Sequence, residues 1–285
     1  MTDTTGEAPF ISIVTSTLDA ARELPYTVKS LAAQRGASFE WIVVDGGSRD
    51  ATLNLLRAAG PLLASLASEP DAGIYDAWNK ACGRARGEWL LFLGAGDELA
   101  APDTLATFSG HLVEAHPAHD LVYGRLVYLS PAGREPLEEV GAPWSELRGR
   151  WEIGRPAIPP HPAVFHHRSL FANGQRFDPR FRIAGDAHFL LRYGLRKAPL
   201  FVPAAVVRVA IRGISMDLRT APAVAREIRD MNQELSLVPP LGHRVAEAIL
   251  LAAKVVAARL PEALGHRLAD LYRRALGRPK RWSVR

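Results

Sequence analysis

The chain has 285 residues, 48% hydrophobic and 23% charged, with 35 Lys and Arg against 30 Asp and Glu for a formal net charge of +5. That apolar content supports a substantial core and excludes a disordered chain, while a lone cysteine, Cys82, excludes an intramolecular disulfide and suits a reducing compartment. No run approaches the about 18 apolar residues of a spanning helix, and MTDTTGEAPF lacks the basic and apolar regions of a secretion signal, so a cytoplasmic protein is expected.

From the amino end, Phe10 to Thr15 is a short β-branched run with the pattern of a buried strand, ending in the hydroxyls of Thr15, Ser16 and Thr17. Ala20 to Ala33 reads as a helix with Leu24, Val28 and Leu31 on one face. Glu40 to Asp45 is a second buried strand, closed by Asp45-Gly46-Gly47-Ser48, and a helix follows from about Asp50. Leu62 to Ser68 is a third strand of modest apolar content. An acidic loop, Glu69 to Gly73, then leads into a helix expected to run to Gly87, with Ile74, Ala77, Trp78 and Ala81 on its apolar face. The strand Glu88 to Leu93 runs out into Gly94-Ala95-Gly96-Asp97. Strands alternating with helices imply a largely parallel sheet, whose ligands lie beyond the carboxyl ends of the strands. Thr15, Asp45 and Asp97 occupy three such ends, so one shared crevice is expected.

IVTSTLDA, IVVDGGSRDAT, SEPDAGIYDAWNKA and FLGAGDEL resemble, in order, the motifs of family 2 glycosyltransferases of the GT-A fold. HPAVFHHRSLFANGQRFDPRFRIAGDAHFLLR resembles the acceptor-side segment of that family, and Arg212-Gly213-Ile214-Ser215 its closing loop. The resemblance covers roughly residues 8 to 216. It implies a Rossmann-like, mostly parallel sheet flanked by helices, with a catalytic domain over 1–216 and a helical extension over 217–285. It also implies an inverting enzyme that moves a sugar from a nucleoside-diphosphate sugar to an acceptor hydroxyl, with a Mg²⁺ or Mn²⁺ cofactor. By resemblance Thr15 and Asp45 contact the nucleoside with Ser48 beside them, Asp71 lies near the donor ribose or sugar, and Asn79 and Lys80 are further donor-side candidates. Asp97 matches the last carboxylate of a D-x-D-type metal site, Asp186 the general base, and His161 and Arg212 the acceptor or leaving-group side.

The chemistry accounts for these residue types. Negative charge develops on the departing diphosphate, and a hard cation held by few carboxylates neutralises it. An acceptor hydroxyl is a poor nucleophile, and a carboxylate within hydrogen-bond reach takes its proton. Here the metal motif departs from the family's, offering Asp97 alone with Glu98 as a second candidate ligand. Plain alternatives stand beside each assignment: Asp45 as a turn residue before two glycines, Asp97 or Asp71 as caps, Asp186 as a cap for the helix through His188 to Leu191, and Lys80 on a solvated face. His166 and His167 are expected to be packed or solvated, since His161 and His166 lack the i, i+4 spacing of a helical metal site. Trp144 to Pro160 reads as an irregular loop that covers or shapes the acceptor site.

Residues 241–285 hold ten Lys and Arg against Glu247, Glu262 and Asp270, so the first 240 residues are slightly acidic. Met216 to Pro240 reads as a polar linking helix. Beyond it, Val245, Ile249, Ala252, Val256 and Leu260 line one helical stripe, and Leu264, Leu268, Leu271 and Ala275 another. A basic amphipathic tail fits the inner face of an anionic membrane, and with it a saccharide or lipid-linked saccharide acceptor in surface polysaccharide or glycolipid assembly. The alternative for the tail is packing on the protein itself. No base-reading module accompanies the charge, so no nucleic-acid partner is expected. Two alternative functions remain at this stage: a nucleotide-sugar-binding protein without transfer activity, and a nucleotidyltransferase, which usually carries a Gly-rich basic loop where Thr15 to Asp19 has neither feature.

Overall fold

The computed structural model describes residues 8–130, 134–152, 154–211 and 217–275; Arg212 and its loop lie outside them. In chain order the strands are β1 (Ile11–Thr17), β2 (Phe39–Asp45), β3 (Leu63–Ser68), β4 (Trp89–Phe92), β5 (Glu98–Leu99), β6 (Leu121–Leu129), β7 (Pro136–Val140), β8 (Trp151–Glu152), β9 (Arg155–Pro156), β10 (Val164–His167) and β11 (Leu200–Ala210). The helices are α1 (Leu24–Ala32), α2 (Thr52–Ala58), α3 (Ile74–Cys82), α4 (Thr104–Ala115), α5 (Trp144–Leu147), α6 (Gly185–Gly194), α7 (Ala221–Glu234), α8 (Leu241–Ala257) and α9 (Glu262–Ala275).

The main sheet has the order β3-β2-β1-β4-β10-β6-β11-β5, with β7 paired to β6. Its first four strands are parallel, β10 runs antiparallel between β4 and β6, and β11 is again parallel to β6. Alternation along the strands sorts side chains onto two faces. Ile11, Ile13, Trp41, Val43, Trp89 and Leu91 join one core, while Val14, Ile42, Val44, Leu90 and Phe92 join the other with Tyr75, Trp78 and Phe189. With both faces covered, the strands read as unbroken apolar runs. This is a mixed α/β architecture whose central sheet is flanked by helices, with further helices at the carboxyl end.

Two helices are shorter than their sequence patterns suggest. The stretch from Ala20 does not become helical until Leu24, because Pro25 fits only the first turn of a helix. Before it, the Ala20 and Ala21 N–H groups donate to Thr52 Oγ1 and Asp50 Oδ2 instead. Helix α3 stops at Cys82 rather than Gly87. Gly87 already lies against β1: a Cβ there would come 2.6 Å from the Ser12 nitrogen.

Helix α7, expected as a linker, is packed on α6. Ile228 and Met231 enter a core with Phe181, Ala184, Ala187 and Leu191, and the Asn232 Nδ2 donates to the Gly154 carbonyl at 2.7 Å. The packed body therefore extends past residue 216, and the change in character comes at α8, which is buried only at Ala257.

Candidate active site

The carboxyl end of β2 is held by a carboxylate that its own chain saturates. Asp45 Oδ1 accepts from Thr17 Oγ1 at 2.8 Å and from Ser48 Oγ; Oδ2 accepts from Gly47 N at 3.1 Å, Ser48 N at 2.9 Å and Ser68 Oγ at 2.8 Å. Burial pushes its pKa up, but hydrogen bonds from Ser48, Ser68 and Thr17 outweigh that and hold it below the ordinary value. These five donors hold the carboxylate in place and fix the turn that follows β2. Ser48 is likewise engaged, its Oγ also accepting from Asp19 N at 2.8 Å.

Thr15, expected at the nucleoside, is fully buried and accepts from Trp41 Nε1 at 3.0 Å. Strand β1 runs two residues beyond the apolar run, so Thr17 is the hydroxyl that reaches Asp45. Asn79 is also taken: its amide exchanges hydrogen bonds with both backbone groups of Phe177, at 2.8 and 2.9 Å. Lys80 pairs with Glu69 at 3.1 Å and Asp76 at 3.2 Å, clipping the acidic loop to α3. Asp71 differs from these. Its Oδ1 accepts from Gly73 N at 2.9 Å, and its Oδ2 lies over Gly46, where a Cβ would meet it at 2.8 Å and Leu18 Cδ1 at 3.6 Å. Leu18, 63% exposed, Gly46 and Asp71 thus frame an open corner beyond β1 and β2.

Next to this rim a cavity of about 1730 Å³ is lined by both Asp97 and Asp186. Asp97 closes a tight loop in which Gly94 N donates to its Oδ2 at 2.8 Å and Thr27 Oγ1 donates to its carbonyl at 2.8 Å. Gly96 is required there: its φ is +99°, and a Cβ would strike Glu23. Burial pushes the Asp97 pKa up to about 7 against the Gly94 N–H and the Arg134 charge. Glu98, the other candidate ligand, is paired with Arg134, which also donates to the Gly96 carbonyl at 2.8 Å. A half-buried carboxylate whose ionisation is this poorly compensated has the chemistry to hold a hard divalent cation.

Across the cavity, Asp186 is in the first turn of α6, and its Oδ1 accepts from Ala187 N at 2.7 Å and Tyr75 OH at 3.2 Å. Tyr75 also donates to the Ile183 carbonyl at 2.8 Å, and its ring lies flat on Gly185, where any Cβ would overlap it. Burial raises the Asp186 pKa, outweighing the Ala187 N–H, the Arg155 charge and the Tyr75 hydroxyl. Sequence reasoning missed the supports of this carboxylate. Glu227 of α7 accepts from Arg182 N, Ile183 N and Ala184 N at 2.8–2.9 Å, fixing the turn into α6. Arg155, buried beside Asp186, lines the same cavity along with Ile158, Pro159 and Pro160. The segment from Trp144 to Pro160 therefore does cover the cavity, as a short helix and a two-stranded hairpin.

His161 is buried and stacks on Trp78 at 5.0 Å; burial pushes its pKa down to about 3, so the ring is neutral. Its Nε2 lacks a hydrogen-bond partner and the residue lines the cavity. His166 is packed among Phe92, Phe171 and Phe189, as expected. His167 stacks on His116, and these two form with Asp120 a possible metal-holding group. That group lies at the amino ends of β4 and β6, since His167 pairs with Trp89 and its N–H donates to the Asp120 carbonyl. It is thus on the sheet rim opposite Asp97, and Lys197 Nζ already neutralises Asp120 at 2.7 Å.

Known proteins share these features. The model of Glycosyl transferase family 2 matches residues 12–170. A PGL/p-HBAD biosynthesis glycosyltransferase of Mycobacterium bovis is 36% identical over 191 residues, 65% of this chain and 70% of that protein. An uncharacterized glycosyltransferase of Mycobacterium tuberculosis is 32% identical over 247 residues, 85% of this chain and 90% of that one. Among solved structures, the mannosyltransferase PcManGT from Pyrobaculum calidifontis, in complex with GDP-Man and Mn²⁺, has a TM-score of 0.62 at 21% identity, covering 95% of this chain and 81% of that chain. S. aureus TarS 1-349 in complex with UDP gives 0.56 at 19% identity, covering 93% and 85%.

Proposed function

The chain belongs to glycosyl transferase family 2, and from that premise we propose that it is an inverting enzyme using a nucleoside-diphosphate sugar, with Asp186 as general base and Asp97 as metal ligand. The observation that carries this reading is that Asp97 and Asp186, 89 residues apart in sequence, line one cavity at the carboxyl ends of the strands. The nucleoside belongs in the corner framed by Leu18, Gly46 and Asp71, where the Asp71 Oδ2 closely approaches a glycine and Leu18 is exposed. Bound Mg²⁺ or Mn²⁺ at Asp97 would neutralise charge on the departing diphosphate. Asp186, with a pKa raised by burial, is a stronger base than a solvated carboxylate and takes the acceptor proton. Arg155 beside it and the unpartnered His161 Nε2 supply polar contacts for the acceptor or the leaving group.

Relatives named for PGL/p-HBAD biosynthesis and for succinoglycan biosynthesis support a lipid-linked or saccharide acceptor. The catalytic unit in this reading runs through α7, and the basic helices beyond it bring the enzyme to an anionic membrane surface. Among the described residues no helix is long and apolar enough to cross a membrane. The test is a thermal-shift panel of UDP-, GDP- and dTDP-sugars with Mn²⁺, since ligand binding stabilises the native state with the logarithm of ligand concentration over Kd. Stabilisation by one donor, reduced in Asp71→Ala and made metal-independent in Asp97→Ala, is expected. A chain that no nucleotide sugar stabilises is not this enzyme.

A further inference from the structure

Helix α8 reads LGHRVAEAILLAAKVVA, a sequence apolar over most of its circumference. Such a helix ordinarily lies inside a protein or against lipid. Here Val245, Ile249 and Val256 are 55%, 66% and 59% exposed, and α8 packs mainly on α7, α9 and the turn Leu218–Thr220. Ala246, Leu250, Ala253 and Ala257 recur at i, i+4, i+7 and i+11 and line the cavity that holds Asp97 and Asp186, together with Ile249, Ala252 and Val256 of the same helix. Three alanines in that row keep the space beside the helix open over ~17 Å of its length.

The facing wall is equally apolar, with Leu126, Val140 and Val209 from the sheet and Val224 and Ile228 from α7. Asp97, Asp186 and Arg155 line the same cavity, as do Glu247 and Lys254 of α8, and Glu247 packs over Gly154, the neighbour of Arg155. One continuous space is therefore lined both by the groups assigned to the chemistry and by a long row of apolar side chains. A nucleotide sugar is polar throughout and matches only the first. An amphiphile matches both.

We propose that the trough between α8 and the sheet is an acceptor subsite: it takes the hydrocarbon portion of an amphiphilic acceptor and so presents the acceptor hydroxyl to Asp186. This rests on the transferase reading above and adds to it the site that selects the acceptor. Burying the chain in the trough makes acceptor binding depend on hydrocarbon length, whereas the donor corner by Asp71 is indifferent to it.

The experiment titrates the full chain by calorimetry with methyl, hexyl, octyl and decyl β-maltoside, each below its micellar concentration. Affinity is expected to rise roughly three- to fourfold per added methylene, with methyl maltoside silent. Ala253→Trp, which fills the trough from an exposed helix position, is expected to weaken decyl maltoside at least tenfold. Val245→Glu, on the outward face, is expected to change it little. Both variants should keep the wild-type response to the nucleotide sugar, which shows that they fold. Donor stabilisation without chain-length dependence overturns the trough while leaving the transferase reading intact; absence of any donor response removes the transferase reading first. Decyl maltoside binding that survives Ala253→Trp and is lost in Val245→Glu overturns the trough in favour of a membrane-facing outer surface. A dimer seen by sedimentation that Ala253→Trp dissociates also overturns it, since a second copy then covers this face.

Discussion

The donor side and the acceptor side of this molecule treat their polar groups in opposite ways. On the donor side Asp45, Ser48 and Asn79 spend their hydrogen-bonding capacity on the chain itself, and the resulting loops are held before any ligand arrives. On the side assigned to the acceptor, Asp186 carries a pKa raised by burial and His161 Nε2 has no partner; Asp97, where that side meets the donor's diphosphate, is raised in the same way. Satisfied buried polar groups stabilise a fold, while unsatisfied ones cost stability and gather where chemistry is done. The contrast locates the reaction at the cavity better than a count of acidic residues would.

The largest expected effect tests that contrast by separating activity from stability. Asp186→Asn should lower the rate of sugar transfer by about 10²- to 10⁴-fold while leaving thermal stabilisation by the donor unchanged. The same substitution should leave the fold equally stable at neutral pH or raise it by roughly 0.5–1 kcal/mol, because a poorly compensated buried charge is removed. Urea denaturation checks the second half. A large stability loss would mean that Asp186 is a helix cap and not a base.

Asp45→Ala should do the reverse. It strands the buried hydroxyl of Thr17 and removes the acceptor of Ser48 and Ser68, and about 1–3 kcal/mol of stability should go with them, with donor affinity falling only as far as the loop loosens. Denaturation against pH sharpens the comparison, since the two carboxylates have opposite signs. For Asp45 the folded pKa is lowered, so the unfolded state binds more protons below 3.8, and the contribution present above 3.8 is lost as pH falls through that window. For Asp186 the folded pKa is raised, so the folded state binds more protons above 3.8, and the stability gap between wild type and Asp186→Asn should close as pH falls toward 3.8. The rate should also fall on acidification at a pH above the usual carboxylate range. Parallel pH profiles for the two sites would break the distinction.

Glu227→Gln asks whether α7 belongs to the acceptor side. Losing the carboxylate that receives three N–H groups ahead of α6 should let Asp186 drift, reducing kcat about tenfold with donor KM unchanged. A change in donor KM alone would place α7 outside the reaction.

The two sides also differed in how legible they were. Strands β1, β2 and β4 were plain in the sequence, because burial on both faces makes a strand an uninterrupted apolar run. The carboxylates after β4 and at the start of α6 were legible through motif and strand end. Of the hydroxyls that end β1, Thr17 meets Asp45 while Thr15 meets Trp41; the two share a face of the strand, and only register tells which is last. Asn79 and Lys80 face outward from an apolar stripe, and nothing local reveals that Phe177 and Glu69 come to meet them. Helix α7 is polar over much of its surface and looked like a linker; its part in holding the Asp186 turn depends on Glu227 meeting residues about forty positions earlier. Contacts of that range are set by tertiary packing, which local pattern does not encode.

Lys80 supplies the smallest and most discriminating prediction. Its ammonium is shared between Glu69 and Asp76 on the surface, so it holds the acidic loop near Asp71 without itself pointing at the donor corner. Exposed ion pairs contribute little, and Lys80→Ala should change donor affinity by no more than about twofold, with that change fading at high salt. Asp71→Ala, one loop residue away from the clip, should cost far more. If the two losses proved equal, Lys80 would be a donor ligand after all, and the donor side would hold an uncommitted charge of the kind assigned here to the acceptor side.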